Sequence, residues 1–342
     1  MKKLGIAILV LAVALAGTGY YFIKMHPEML EGGTAQSIAE TVTHTISEKL
    51  SDTVELITDV FDAQLSAAGK TDAGRYFSAA SEEDIIYEDS EVYDALCEGI
   101  SAYKTEVTVV VPQEMATEGV LNVQFYKAFG DHPEWFWLSG SGSWQLLTRG
   151  GITTATFTPD LLTDISNVHD MAYKLGIFAS EIAGGANQFT TDYEKVLYVH
   201  DTIVNVCEYD TETYDEAVAA GELIPDFSYT SYGCLIERRA VCDGYSKAFQ
   251  LLMNILDIPC GRVLGQAFTD TSSESHAWNY IMLDGQYYYV DVTWDDPIGR
   301  TPDMGISHEY FCVTTEMLLQ DHVINEDQFV PECTATDYTG LV

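Results

Sequence analysis

The chain has 342 residues, of which 47% are hydrophobic and 12% aromatic, and 53 acidic against 16 basic residues give a formal net charge of −37. This composition supports a buried core and excludes a disordered chain, and so acidic a surface repels phosphate backbones, which argues against a nucleic-acid partner. The length permits one large domain or two of ordinary size.

The first 24 residues have the pattern of a targeting segment. Lys2 and Lys3 precede an apolar run over residues 4–23, and this run contains Ala14-Leu15-Ala16, which is similar to a signal-peptidase site. The run is also long enough to cross a bilayer as a helix. Residues 1–24 are therefore predicted to be a cleaved signal peptide or a retained membrane anchor. The body of the protein is predicted to be secreted or at the cell surface.

An amphipathic segment comes next. Apolar residues recur at helical spacing from Ile38 to Leu65, which predicts one helix over residues 35–66 within a stalk or spacer at 25–70. This helix could lift the body off a membrane or pack against it.

Residues 71–160 are predicted to form an N-terminal α+β region. Its predicted elements are a helix with an acidic face at 82–94, a strand at 106–111, a helix at 117–129 and a hairpin of strands at 143–149 and 152–158. The aromatic segment DHPEWFWL at 131–138 is predicted to be a corner that contributes to the core.

A change of composition near Pro159 predicts a further domain over residues 161–342. Its predicted elements are helices at 161–183, 189–207, 241–256 and 315–321, and strands at 260–267, 276–283, 286–293 and 310–313. Residues 208–233 and 268–275 are predicted to be loops. His200 lies on the apolar face of the second helix and is predicted to be a core or capping histidine.

Seven cysteines are sparse for this length, so a disulfide scaffold is excluded. Their number is odd, so at least one thiol has no partner within the chain. They have no zinc-site spacing, and no acidic loop has the calcium-binding pattern. The sequence therefore predicts neither a metal nor a cofactor.

The stretch RAVCDGYSKAF at 239–249 predicts a loop that turns into a helix, with Cys242 at the helix start. Unpaired N–H groups and the helix dipole favour an anion at that position, which shifts a thiol towards the thiolate. A cysteine placed in this way is either a nucleophile or an ordinary buried thiol.

Two more residues with catalytic chemistry lie on the predicted hairpin. Its strands are joined at Asp284-Gly285, so paired positions sum to 569 and His276 faces the neighbourhood of Trp294. Asp291, inside the second strand, then lies a few residues diagonal to His276. A charge in the run YYYVDVTW needs a partner, and an imidazole held by a carboxylate would supply one.

Three motifs resemble the transglutaminase-like superfamily, which has the papain-like cysteine-enzyme fold: AVCDGYSKAF at 240–249, HAWN at 276–279 and YVDVTWDDP at 289–297. The resemblance is close over residues 229–320. Weaker similarity at 199–210 and 131–137 is to exported bacterial members. The implied fold is α+β, with the nucleophile-bearing helix packed on an antiparallel sheet.

The resemblance implies a role for each matched residue. Cys242 would be the nucleophile, His276 the general base and acid, and Asp291 the group that orients the imidazole. The oxyanion hole would use the Cys242 backbone N–H and an upstream donor, for which Tyr232 is the candidate.

Three other side chains near these motifs have two interpretations each. Trp278 and Trp294 would wall the site or simply fill the core. Cys234 would be inert, or would regulate Cys242 through a disulfide.

Two functions remain open at this point. The first is thiol-dependent acyl transfer on peptide or protein amides, with hydrolysis favoured over cross-linking because water needs no built acceptor site. The second is a non-catalytic binding or structural module at the cell surface that keeps the fold.

Overall fold

The computed structural model describes residues 90–269, 273–296, 305–325, 328 and 330–342. They lie within a compact unit that spans Gln64–Val342. The targeting segment at 1–24 and the stalk helix at 35–66 lie outside the described residues and stay predictions.

Seven α-helices are found among the described residues. In chain order they are α1 (Glu91–Ser101), α2 (Glu118–Asp131), α3 (Ile165–Ala186), α4 (Asp192–Val206), α5 (Thr211–Ala220), α6 (Cys242–Ile255) and α7 (Thr315–Leu318). No helix in this part of the chain combines the length and apolarity that a membrane crossing needs.

The strands of the described residues form two antiparallel sheets and one short parallel pair. In chain order the strands are β1 (Val107–Val111), β2 (Leu138–Arg149), β3 (Ile152–Leu161), β4 (Glu208–Tyr209), β5 (Arg239–Ala240), β6 (Cys260–Phe268), β7 (Ser273–Leu283), β8 (Gln286–Val290), β9 (Phe311–Val313) and β10 (His322–Ile324). The first sheet has the order β1-β3-β2 and the second the order β10-β6-β7-β8-β9, while β4 pairs with β5. The predicted α+β class is confirmed.

The three-stranded sheet packs on α1 and α2 through an aromatic core. Phe125 of α2 lies 4.4 Å from Phe157 of β3, ring centre to ring centre, and both side chains are buried. The apolar residues of the segment predicted to be a corner are buried as well, and the Trp135 indole N–H donates to Ser101 Oγ at 3.1 Å. Helix α1 begins at Glu91, after the N-cap Ser90, and so overlaps the end of the helix predicted at 82–94. Residues 82–89 lie outside the described part of the chain.

The N-terminal region also contacts the elements that follow it. Gln250 of α6 donates to the Gly130 carbonyl at 3.1 Å, and the Ser231 hydroxyl donates to the Pro133 carbonyl at 2.7 Å. The predicted boundary near residue 160 stays a prediction.

The central hairpin has the predicted register but a shorter second strand. Tyr280 pairs with Tyr289 and Asn279 with Val290, as the sum of 569 requires. The placement of Asp291 inside this strand is wrong, because β8 ends at Val290. The Asp291 carboxylate accepts from the backbone N–H groups of Thr293 and Trp294, and such a local bond favours a turn over a strand.

Two predicted loops contain regular structure. Helix α5 lies within the predicted loop at 208–233. None of its residues is buried, so the sequence shows no apolar repeat at helical spacing. Its ends are nevertheless capped, by Asp210 at the N-terminus and by Gly221, in the left-handed region, at the C-terminus. Strand β7 begins at Ser273, inside the predicted loop at 268–275. The predicted helix at 315–321 ends at Leu318, and strand β10 follows it.

Gly244 sets how closely α6 approaches the chain before it. A Cβ at this position would lie 2.4 Å from the Ser228 carbonyl oxygen and 2.8 Å from Ala240 Cβ. Gly244→Ala is expected to lower the free energy of unfolding by about 1–3 kcal/mol through overpacking. Gly184→Ala in α3 is the matched control, because a Cβ there meets no atom within 4 Å and alanine should stabilise the helix by up to about 1 kcal/mol. Urea unfolding of both variants tests this, and equal effects would contradict it.

Candidate active site

Helix α6 presents Cys242 at its first residue. Val241, the N-cap, makes no side-chain capping bond, so the first-turn N–H groups are not used by a local side chain. Every residue from Gly244 to Met253 is buried, whereas Cys242 is half-buried. The helix packs on β6 and β7, which places its N-terminus against the strand that carries His276.

His276 and Asp291 form a short polar contact at the centre of the site. The His276 Nε2 atom lies 2.6 Å from Asp291 Oδ2, and both side chains are buried. The neighbouring Cys242 thiol raises the pKa of the His276 ring. Since Nε2 faces Asp291, Nδ1 is the nitrogen left for the thiol. The structure therefore brings together the three residues that the motifs predict.

His276 and Asp291 each stabilise the charged form of the other. Burial lowers the pKa of His276, but the Asp291 carboxylate and the Cys242 thiol outweigh burial and hold the pKa well above its ordinary value of 6.5. Burial raises the pKa of Asp291, but His276 and His322 outweigh it and keep the pKa below its ordinary value. The imidazolium and the carboxylate are thus the favoured forms of this pair.

Comparisons with known proteins address the same part of the chain. A family model described as the transglutaminase-like superfamily matches residues 179–292, which span α6, β7 and Asp291. This chain carries a transglutaminase-like domain.

Two curated relatives are similar to part of this chain. Human kyphoscoliosis peptidase is 25% identical over 173 residues, which cover 44% of this chain and 25% of that protein. The mouse protein of the same name is 25% identical over 146 residues, which cover 39% of this chain and 21% of that protein. The chain thus spans about a quarter of the length of these relatives.

Two solved structures are similar to part of this chain. One, described as a TGase, has 17% identity and a TM-score of 0.31, and the match covers 49% of this chain and 48% of that one. The other, provisionally described as a cysteine protease from Cytophaga hutchinsonii, has 12% identity and a TM-score of 0.29, with 58% and 81% covered. At these TM-scores neither likeness bears on the function of this chain.

His322 is a site residue that the sequence analysis missed. Its Nε2 atom lies 3.2 Å from Asp291 Oδ2, and its Nδ1 atom lies 2.6 Å from Asp321 Oδ1. Asp291 Oδ2 therefore lies between two imidazoles, His276 and His322. The three-residue strand β10 places His322 here by pairing it with Ala267 of β6. So short a strand has no alternation, and no motif marks His322.

The two predicted tryptophans flank the imidazole. The rings of Trp278 and Trp294 are centred 5.9 and 5.8 Å from the His276 ring. Trp278 is buried, whereas Trp294 is partly exposed and also lies 4.5 Å from the His322 ring. They restrict water around His276, and Trp294 is the one on the solvent side.

Tyr232 and Cys234 lie on a π-helical turn before the nucleophile helix. Tyr232 stacks on Phe136 with ring centres 4.9 Å apart, so its assignment as an oxyanion donor stays a prediction. Cys234 is fully buried, and burial, together with the neighbouring Cys207 thiol, holds its pKa well above its ordinary value. Cys207 and Cys234 are both free thiols, and burial makes Cys234 a poor nucleophile.

A buried ion-pair network supports the first turn of α6. Asp243, next to Cys242, binds the Lys247 ammonium at 2.9 Å and the Arg262 guanidinium at 2.8 Å. Lys247 also donates to the Tyr229 carbonyl at 2.9 Å. These bonds tie the helix start to β6 and to the preceding loop.

Two groups in the described residues have donor atoms close enough for a metal ion. One is His276, Asp291 and His322, whose contacts are those of the site above. The other is His200, Asp201 and His308, which lies on α4 and in the segment before β9.

Proposed function

We propose that this protein is an exported thiol-dependent acyl-transfer enzyme that acts on peptide or protein amides through Cys242, His276 and Asp291. The observation that carries the proposal is the hydrogen bond of 2.6 Å between His276 and Asp291, beside a Cys242 thiol that raises the pKa of the same imidazole. The apolar run at residues 4–23 supports export.

The geometry supports a two-step reaction. The Cys242 thiolate attacks the amide carbonyl, and a C–S bond forms while the oxygen becomes an oxyanion at the start of α6. The intermediate collapses, the C–N bond breaks, and the His276 imidazolium gives its proton to the leaving amine. The products of this step are a thioester on Cys242 and a neutral His276.

The second step releases the acyl group. Neutral His276 takes a proton from water, the resulting hydroxide attacks the thioester, and the C–S bond breaks to give a carboxylic acid and the thiolate. An amine in place of water gives a cross-link. We favour hydrolysis because the cross-linking reaction needs a second site that binds the amine.

The proposal is tested by trapping the acyl group. The full chain is incubated with a mixed peptide library, with and without an added primary amine, and acylated residues and products are mapped by mass spectrometry. We expect acylation of Cys242, acid products in both samples, and no acylation in Cys242→Ala. Amide products with the amine would instead favour cross-linking. No acylated chain on any substrate would favour a non-catalytic module.

The raised pKa of His276 predicts how stability depends on pH. The stabilisation that comes from the raised His276 pKa is fully present below about pH 6.5, the ordinary histidine pKa, and is lost as the pH rises through the higher pKa of the folded protein. We expect the difference in unfolding free energy between wild type and His276→Gln to be larger at about pH 6 than at about pH 9. Urea unfolding of both proteins measures it, and a larger difference at the alkaline pH would contradict the assignment.

His322 is predicted to be a positioning residue for Asp291. In His322→Leu, the Asp291 carboxylate loses one hydrogen-bond donor and can turn away from His276. We therefore expect kcat to fall by about 10–100-fold, which corresponds to the free energy of one hydrogen bond to a charged group. His322→Gln keeps an N–H group near the position of Nε2 and should recover most of the rate. Steady-state kinetics on a substrate from the library test this, and equal rates for the two variants would rule out positioning.

A further inference from the structure

A second histidine cluster lies on the far side of the turn that follows Asp291. The His200 Nδ1 atom is 3.0 Å from Asp201 Oδ1, and the His308 Nε2 atom is 2.8 Å from the same oxygen. The donor atoms of these three residues all lie within 4.8 Å of one another. They come from adjacent residues of α4 and from the segment before β9, and none of them takes part in the reaction proposed above.

Each ring nitrogen of His200 faces a carboxylate, and a neutral ring has a proton for only one of them. Its Nε2 atom lies 3.2 Å from Asp295 Oδ2, in a pair that is fully buried, so this nitrogen carries the proton of a neutral ring. The Asp295 carboxylate also accepts the Tyr310 backbone N–H at 3.1 Å. The Nδ1 lone pair of His200 then faces the carboxylate of Asp201. Either a second proton or a cation must lie between them.

The donor set matches a divalent transition metal. Two imidazoles and one carboxylate are typical ligands of zinc, with a water as the fourth. A ligating histidine usually donates its other N–H to a carboxylate, which is what Asp295 provides for His200. The cluster is also open on one side, because Asp201 is 36% and His308 19% exposed, while His200 is fully buried. An ion and a water can therefore reach it from solvent.

We propose that His200, Asp201 and His308 form a zinc-type metal site, with Asp295 as the partner that orients His200. The metal would join α4 to the segment before β9. Through Asp295, whose N–H donates to the Asp291 carbonyl at 3.2 Å, it would also stabilise the turn that carries Asp291. This site is separate from the thiol site, and the inference does not depend on the proposed reaction.

The test is zinc binding by the untagged full chain. After removal of metals with a chelator, equilibrium dialysis against Zn²⁺ and elemental analysis give the number of ions per chain. We expect His308→Ala to bind one ion fewer than wild type and to lose the rise in melting temperature that Zn²⁺ gives to wild type. His169→Asn, which removes an exposed histidine outside the cluster, should behave as wild type.

Co²⁺ in place of Zn²⁺ identifies the ligands. We expect absorption bands of a four-coordinate ion without a thiolate charge-transfer band, and their loss in His308→Ala. Zinc binding that His308→Ala leaves unchanged while Cys242 becomes protected from alkylation would place the ion at the active site and overturn the proposal. Failure of wild type to bind zinc would also overturn it, and would mean that His200 simply carries two protons.

Discussion

Asp291→Asn is expected to lower kcat by about 10⁴-fold while the protein stays folded. The amide oxygen can still accept the backbone N–H groups of Thr293 and Trp294, which Asp291 Oδ1 now accepts at 3.0 and 3.1 Å. The amide NH₂, however, replaces the oxygen that faces His276 Nε2. The proton of a neutral His276 must then move to Nδ1, the nitrogen that faces Cys242, and the ring can no longer act as its base.

Steady-state kinetics together with circular dichroism separate this effect from misfolding. Asp257→Asn is the matched control, because it makes the same chemical change at an exposed turn after α6. We expect that control to keep the wild-type rate. If Asp291→Asn keeps more than about a tenth of the wild-type kcat, the carboxylate does not set the proton position on His276. If the variant unfolds, Asp291 is structural.

Asp243→Ala is expected to have the largest effect on stability, about 3–5 kcal/mol. Asp243 is the carboxylate partner of Lys247, whose side chain is only 7% exposed. Without it, the ammonium keeps the Tyr229 carbonyl and the face of the Phe129 ring, 4.7 Å from the ring centre, but loses its carboxylate partner. An unpaired charge at a buried position is far more unfavourable than a paired one.

The double variant Asp243→Ala/Lys247→Met controls for this mechanism. Replacing the ammonium with an apolar side chain of similar length removes the unpaired charge, so most of the lost stability should return. Urea unfolding midpoints of the two variants give the comparison. If the double variant is no more stable than Asp243→Ala, the loss comes from packing around the first turn of α6 and not from the buried charge.

The parts of the fold that could be predicted are those with a sustained periodic pattern. Helices α4 and α6 have an apolar face of many residues, and the hairpin of β7 and β8 has alternation and an Asp-Gly turn that fixes its register. Helix α5 was missed because its residues bury none of their side chains, so only its caps mark it. Strand β10 is three residues long, too short for any pattern.

The residues of the candidate site likewise fall into those that a sequence motif marks and those that no local pattern marks. Cys242, His276 and Asp291 each lie in a sequence motif, and the structure places His276 against Asp291 and near Cys242. His322 and the cluster of His200, Asp201 and His308 depend on contacts between segments about 30 to 100 residues apart, and no local pattern encodes such contacts. His200 was correctly predicted to be buried, but its two carboxylate neighbours became visible only in the structure.

The rate at which iodoacetamide alkylates Cys242 near neutral pH tests the central claim most directly, with each cysteine followed by mass spectrometry. Five of the other cysteines are buried, and the sixth, Cys97, contacts His132 and is followed separately. We predict that Cys242 reacts much faster than free cysteine and faster than the other six, and that His276→Gln removes this advantage. A Cys242 that reacts like an ordinary thiol, or at the same rate in His276→Gln, would contradict the account.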